Sequence, residues 1–138
     1  MSGQGSFVLF PLGDRRFALR ADEVAELARP GKLQEFPHTT PMLSGVLLRR
    51  GRIVPVCDIA PLLVGPNAPA RRFYLMAHPE KNKEEWTAIP VTGECELVAG
   101  NAERPEKTAP SYVTGTLTRG TEQIAVIDLE KLTSREVH

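Results

Sequence analysis

The sequence predicts a mostly β protein, built as two related lobes of antiparallel hairpins in the style of small barrels or a sandwich. Three observations predict it. First, one pattern occurs twice. Gly45, Leu47, Arg49, Val54, Val56, Asp58, Ile59 and Leu62 recur as Gly115, Leu117, Arg119, Ile124, Val126, Asp128, Leu129 and Leu132, each displaced by 70 residues. Second, the apolar runs are short and are closed by Gly, Asp and Pro turns, as in proteins of many short strands. Third, the chain has 138 residues. A lobe of about 60 residues buries too little surface to be stable alone, so the two lobes must share a core.

The elements follow in order. Residues 7–12 read as a strand, Gly13-Asp14 as a turn and residues 16–19 as the returning strand. Asp22 is placed to cap a short helix that carries Val24, Leu27 and Ala28 on one face and stops at Pro30-Gly31. Residues 33–41 form an extended connection with two prolines. Residues 46–48 and 53–56 make the next hairpin around Arg49-Arg50-Gly51-Arg52. Pro55 has no N–H, which predicts an edge strand or a bulge there. Asp58 is placed to cap the turn holding Ile59, Leu62 and Leu63. Residues 64–70 carry Gly65-Pro66-Asn67-Ala68-Pro69 and mark the expected seam between lobes. Residues 73–76 and 86–91 are strands flanking a charged tip at 78–85, and a strand at 95–98 follows. Residues 100–110 form a polar loop, and residues 111–132 close the second lobe with the second copy of the repeat.

Composition excludes several function classes. Lys+Arg and Asp+Glu both total 17, so the net charge is zero. That argues against general attraction to nucleic acid or to an anionic membrane. No apolar run approaches the roughly 20 residues that span a bilayer, and residues 1–6 have no basic region leading into an apolar stretch. Two cysteines far apart, Cys57 and Cys95, fit a reduced, cytoplasmic protein, the alternative being a bridge between them. His38, His78 and His138 are scattered, and neither cysteine has a neighbour at ligand spacing, so no metal or other cofactor is expected. No glycine loop suited to phosphate is present.

The run Gly45-Val46-Leu47-Leu48-Arg49-Arg50-Gly51-Arg52-Ile53-Val54-Pro55-Val56-Cys57-Asp58 resembles the central signature of CheW-like domains, the adaptor modules of bacterial chemosensory systems. The family pattern runs roughly Gly-Val-Ile-Asn-Leu-Arg-Gly-x-Val-Val-Pro-Val-x-Asp. Phe17-Ala18-Leu19 with Val24-Ala25-Glu26-Leu27 resembles its opening, and Tyr112-Val113-Thr114-Gly115 with Val126-Ile127-Asp128-Leu129 its closing strands. The likeness covers residues 7–132, as a single domain. It implies two SH3-like five-stranded barrels on a shared apolar core, with a few short helices. It also implies a non-enzymatic role: coupling a chemoreceptor's cytoplasmic tip to the regulatory domain of a CheA-type histidine kinase, through apolar grooves and barrel surfaces. Two positions depart from the pattern. Leu48-Arg49 replaces Asn-Leu, and Val91-Thr92-Gly93-Glu94 replaces the family's Val-Asp-x-Val. The chain therefore reads as a divergent member. The alternative is an accessory adaptor of a non-flagellar (gliding or pilus) system that binds only one of the two partners.

Five residues are the candidate partner contacts: Glu26, Val46, Leu48, Arg50 and Val56. Arg50 aligns with the signature arginine, and Arg is favoured as an interface anchor. Its alternative is a solvated hairpin residue, which is also the reading for Arg49 and Arg52. Glu26 stands where the family places an acidic residue near the receptor-facing groove, the alternative being an exposed helix carboxylate. Val46, Leu48 and Val56 are either core or an apolar docking row. Leu48 is the most suspicious of them because it replaces a polar residue. Asp58 and Asp128 precede short apolar turns and read as caps rather than as an acid–base pair. Two remoter readings remain. Cys57 with His38 could serve a thiol hydrolase, although no motif pairs them. Arg49, Arg50 and Arg52 could serve an oligonucleotide-binding barrel, although three basic residues on a neutral chain are few. Pro41-Met42 is a candidate hinge or a plain turn.

Overall fold

A computed structural model describes residues 4–35 and 43–134. His38, Pro41, Met42 and His138 lie outside the described residues, as do the hinge and the Cys57–His38 pairing expected from them. The protein is mostly β, with two curled sheets and short helices. β1 (Gln4–Leu12) and β2 (Arg15–Arg20) pair through the Gly13-Asp14 turn, where Gly13 has φ 72°. A positive φ at the first of two loop residues matches the twist of a tight hairpin.

The expected helix at 22–30 is a correction. A single 3-10 turn, Ala21–Glu23, is followed by β3 (Val24–Pro30), which pairs with β7 (Phe73–Ala77). Asp22 caps nothing; its carboxylate bonds Arg20 at 3.1 Å. Two register shifts interrupt the β3–β7 ladder, one between Val24 and Glu26 and one between Glu26 and Arg29. Each bulge adds a residue and breaks the period of two. That is why Val24, Leu27 and Ala28 fell at spacings that mimic a helix face.

The remaining strands are β4 (Gln34–Glu35), β5 (Leu43–Arg49), β6 (Arg52–Cys57), β8 (Thr87–Val91), β9 (Glu96–Asn101), β10 (Val113–Arg119) and β11 (Glu122–Ile127). One sheet has the order β10-β11-β2-β1-β9, the other β3-β7-β8-β6-β5-β4. Both sheets close on themselves. In the first, Glu103, just past β9, exchanges backbone hydrogen bonds of 2.9 Å with Thr116 of β10. In the second, β3 and β4 are one bent segment that pairs with β7 at one end and with β5 at the other. The sixth strand of that sheet is thus the far end of the first, and the barrel is five-stranded in substance.

The seam expected at 64–70 is also corrected. β7 and β8 lie beyond it, yet they join the sheet of β3–β6. The sequence repeat is real but interlaced. β6 runs parallel to β8, with Val56 beside Ala88; β11 runs parallel to β2, with Val126 beside Ala18. The two pairings are related by the same 70-residue displacement in both partners. Each barrel therefore takes its first hairpin from one repeat and its remaining strands from the other.

Alternating side chains sort into three apolar clusters. Phe7, Leu9, Val98, Leu117, Ile124 and Val126 fill the first barrel. Leu47, Val54, Val56, Tyr74, Met76 and Ala88 fill the second. Between them, Val8, Phe10, Leu12, Leu19, Ile59, Leu75, Ile89, Ile127 and Leu132 form the shared core. Strands β1 and β7 face a barrel interior on one side and the shared core on the other, so both read as continuous apolar runs.

The repeated glycines have one task. A Cβ on Gly45 would lie 2.3 Å from the Gln34 carbonyl oxygen, and one on Gly115 would lie 3.2 Å from that of Glu103. Both glycines sit where the closing segment crosses the hairpin, beside matching bulges at Leu43/Gly45 and Val113/Gly115. Pro55 is not at an edge, since β6 lies between β8 and β5. Its missing N–H is tolerated because the β6–β8 ladder is a single pair, Val56 with Ala88. After the hairpins, α1 (Ala60–Val64) and α2 (Leu129–Ser134) return to the core. Asp128 caps α2 by accepting from the Lys131 N–H at 3.1 Å. Asp58 accepts from the Ala60 N–H at 3.3 Å, but the α1 N-cap is Ile59 and the carboxylate is chiefly the ion-pair partner of Arg71.

Candidate docking face

The β5–β6 hairpin turns through Arg50-Gly51, with φ 53° and 75°. Two positive φ values make the turn that best fits paired strands, and Asn or Gly normally occupies its first position. The equivalent residue in the second repeat is Gly120, with φ 63°. Among the described residues, Arg50 is the single non-glycine with positive φ. Such strain persists where the surroundings hold it, and it concentrates at functional positions.

Glu26 is what holds it. Its side chain is only 13% exposed, on β3. The Arg49 Nε donates to Glu26 Oε1 at 2.8 Å. The Arg50 Nε lies 2.9 Å from Oε2 as an ion pair, without the alignment of a hydrogen bond. Side-chain exposure is 29% for Arg49 and 65% for Arg50. Glu26 is therefore a clasped, largely buried strand carboxylate, not an exposed helical one. Arg49 is not a solvated hairpin residue either, and nor is Arg52, whose guanidinium stacks 4.5 Å above the Trp86 ring and bonds the Glu84 carbonyl.

Alternation along the hairpin divides the apolar candidates. Leu47, Val54 and Val56 point into the barrel, while Leu48 and Ile53 point out, as a cross-strand pair 71% and 74% exposed. Val46 is half-buried beside Gln34. Val56 is fully buried, which removes it as a partner contact: no atom of its side chain reaches the surface. Glu26, Leu48 and Arg50 are thus gathered at one end of the second barrel. A cavity of about 130 Å³, lined by Glu26, Leu27, Arg29, Lys32, Leu48 and Tyr74, lies against Glu26 and Leu48. Sequence reasoning missed Ile53 and the Arg49–Glu26 bond. The signal for Ile53 was its place opposite Leu48 across a two-residue turn.

A second cavity, of about 580 Å³, opens where the barrels meet, with Arg20, Glu23, His78, Glu80 and Asp128 around an apolar floor of Ala77, Ile89 and Ile127. Burial raises the Glu23 carboxyl above its usual range, opposed by Arg20. The Arg20 guanidinium is held charged by hydrogen bonds to Asp22 and Glu80. Cys57 and Cys95 are half-buried and not bridged to each other. Burial pushes the Cys95 thiol up to about 11. Among the described residues, no group of His, Cys, Asp and Glu is arranged to hold a metal, and no helix is long and apolar enough to cross a membrane.

This paired-barrel arrangement agrees with a profile match: the CheW-like domain profile covers residues 6–137. The chain belongs to the CheW-like domain family. Membership places it with the scaffold and adaptor domains of chemotaxis signalling, a non-enzymatic family. Among solved structures it is similar to the scaffolding protein TtCheW from Thermoanaerobacter tengcongensis, with a TM-score of 0.77 and 18% sequence identity, covering 96% of this chain and 92% of that one. At that identity the likeness speaks for the fold. No curated protein matches.

Proposed function

We propose that this CheW-like chain is a cytoplasmic adaptor. It couples the cytoplasmic tip of a chemoreceptor to the regulatory domain of a CheA-type histidine kinase. Residues 7–132 act as one unit, and Glu26, Val46, Leu48 and Arg50 form the contact region. The observation that carries this reading is the exposed Leu48 beside a strained, largely exposed Arg50 that is held by a buried carboxylate. Exposed apolar area next to an arginine is the composition of an interface anchor. The test is a pull-down of the chain with the cognate kinase regulatory domain and a receptor cytoplasmic fragment. Association with both supports the coupling role; association with neither at about 100 µM, a weak signalling affinity, rejects it. A second reading is favoured by Leu48-Arg49 standing in place of the family's Asn-Leu. In that reading the chain is an accessory that binds one partner and competes with a standard coupler for it.

A further inference from the structure

We propose that the larger cavity, where the barrels meet, binds a small organic cation: an amine carried on an aromatic body. This goes beyond the adaptor reading and does not depend on it. The cavity shares no lining residue with the one beside Glu26 and Leu48. The repeat inside the chain supplies the reference. Ala18 and Ala88 are equivalent, since each lies beside the exchanged hairpin, at Val126 and at Val56. The residue before Ala18 is Phe17, paired across the strands with Phe10. The residue before Ala88 is Thr87, paired with Ala77. At the first place two buried rings, 6.0 Å apart, complete the shared core. At the second, an alanine and a threonine border a cavity of about 580 Å³. Protein interiors are normally close-packed, and the same fold achieves it at the equivalent place with two phenylalanines. Folding therefore does not require the cavity. Its volume falls among small-molecule sites, which run from about 300 to 1,000 Å³.

The counterpart also shows what chemistry would complete the site. There the Arg15 guanidinium sits 4.9 Å from the Phe17 ring centre and donates to the Leu63 carbonyl of α1 at 3.3 Å. The equivalent residues at the cavity are Glu85 and Thr133 of α2. A ring with a cation above it is thus replaced by an apolar floor with a carboxylate above it. Among the described residues, five carboxylates line the cavity, including Glu23, Glu85 and Asp128, against two cations, Arg20 and Lys81. Arg20 is already engaged by Asp22 at 3.1 Å and by Glu80 at 2.6 Å. The surplus is negative. The fitting ligand lays its ring on Ala77, Ile89 and Ile127 and points an ammonium at the rim, where bonds to carboxylates are charge-assisted.

The test titrates the full chain with 2-phenylethylamine by calorimetry and by backbone amide NMR shifts. Phenylacetate keeps the ring and reverses the charge; ethylamine keeps the charge and drops the ring. The expected result is a Kd of about 1 mM or below for 2-phenylethylamine, with shifts centred on Ala77, Ile89 and Ile127. Both controls should bind at least ten-fold more weakly. Ala77→Phe with Thr87→Phe installs the counterpart's rings and should abolish binding while thermal unfolding stays cooperative. Should that core change prevent folding, two milder variants decide. Thr87→Phe narrows the cavity from a half-buried position, and Glu85→Arg, on an exposed position, installs the counterpart's cation. Each should weaken binding ten-fold or more. No binding of 2-phenylethylamine at about 10 mM, ten times the Kd expected, overturns the inference and leaves the adaptor reading untouched. Equal binding of phenylacetate overturns the cationic assignment. Unchanged affinity in both Thr87→Phe and Glu85→Arg, or shifts centred elsewhere, overturns the site. A capped Phe-Lys dipeptide that binds where 2-phenylethylamine does not overturns the small-molecule assignment in favour of a protein segment.

Discussion

Arg50 joins backbone strain to an exposed charge. At φ 53° it stands where the second repeat has Gly120. Arg50→Gly relieves the strain and loses an ion pair that is half in water, two effects that offset within about 1 kcal/mol. Denaturant unfolding should therefore find Arg50→Gly nearly as stable as the parent, while its affinity for the partner falls several-fold. A large loss of stability would make Arg50 a structural residue. Cys95 yields a pH prediction. Its thiol is raised from about 9 to about 11 by burial, so the folded state keeps the proton longer than the unfolded chain. The stability this contributes is full below pH 9 and is lost as pH rises towards 11. Cys95 should resist a thiol reagent at pH 8 until urea is added, and rapid labelling of the folded protein would contradict its burial.

The paired hairpins rest on close backbone crossings. Gly45→Ala places a Cβ 2.3 Å from a carbonyl oxygen that cannot move without opening the barrel, whereas Gly115→Ala meets its nearest neighbour at 3.1 Å. Overpacking of this kind costs about 1–3 kcal/mol. Thermal unfolding should rank Gly45→Ala well below Gly115→Ala; equal effects would mean that the crossing at Gln34 yields. At this scale the sequence was readable where the period of two was clean. Hairpins β1–β2 and β5–β6 fall where the turn residues placed them, and β10–β11 falls where the repeat placed it. β3 was not readable, because its two bulges shift the pattern out of step and lend Val24, Leu27 and Ala28 a helical spacing. Leu48 and Val56 were both apolar and both strand residues. Alternation counted from the turn, with Leu48 opposite Ile53 on the outer face and Leu47 opposite Val54 on the inner one, separates exposed Leu48 from buried Val56.

Across the whole molecule, the repeats are interlaced. The 70-residue displacement was plain in the sequence, but the exchange of hairpins was not. Periodicity records which residues face inward, not which repeat supplies the neighbouring strand. The exchanged hairpins are seated by the antiparallel ladders β1–β9 and β3–β7, with six and four residue pairs, and by the parallel contacts β11–β2 and β6–β8, with two and one. It follows that neither half of the chain contains a complete barrel. A chain cut within 65–69 should give fragments that separately show no cooperative unfolding, while the intact protein melts in a single transition. A half that folds alone would contradict the interlacing. The central claim is that this double barrel acts by bridging two proteins. Sedimentation velocity of the chain mixed with the kinase regulatory domain and a receptor cytoplasmic fragment tests that claim most directly. The account predicts a boundary faster than any pairwise mixture gives, containing all three. Three boundaries sedimenting at their separate rates, with each component near 100 µM, would contradict it.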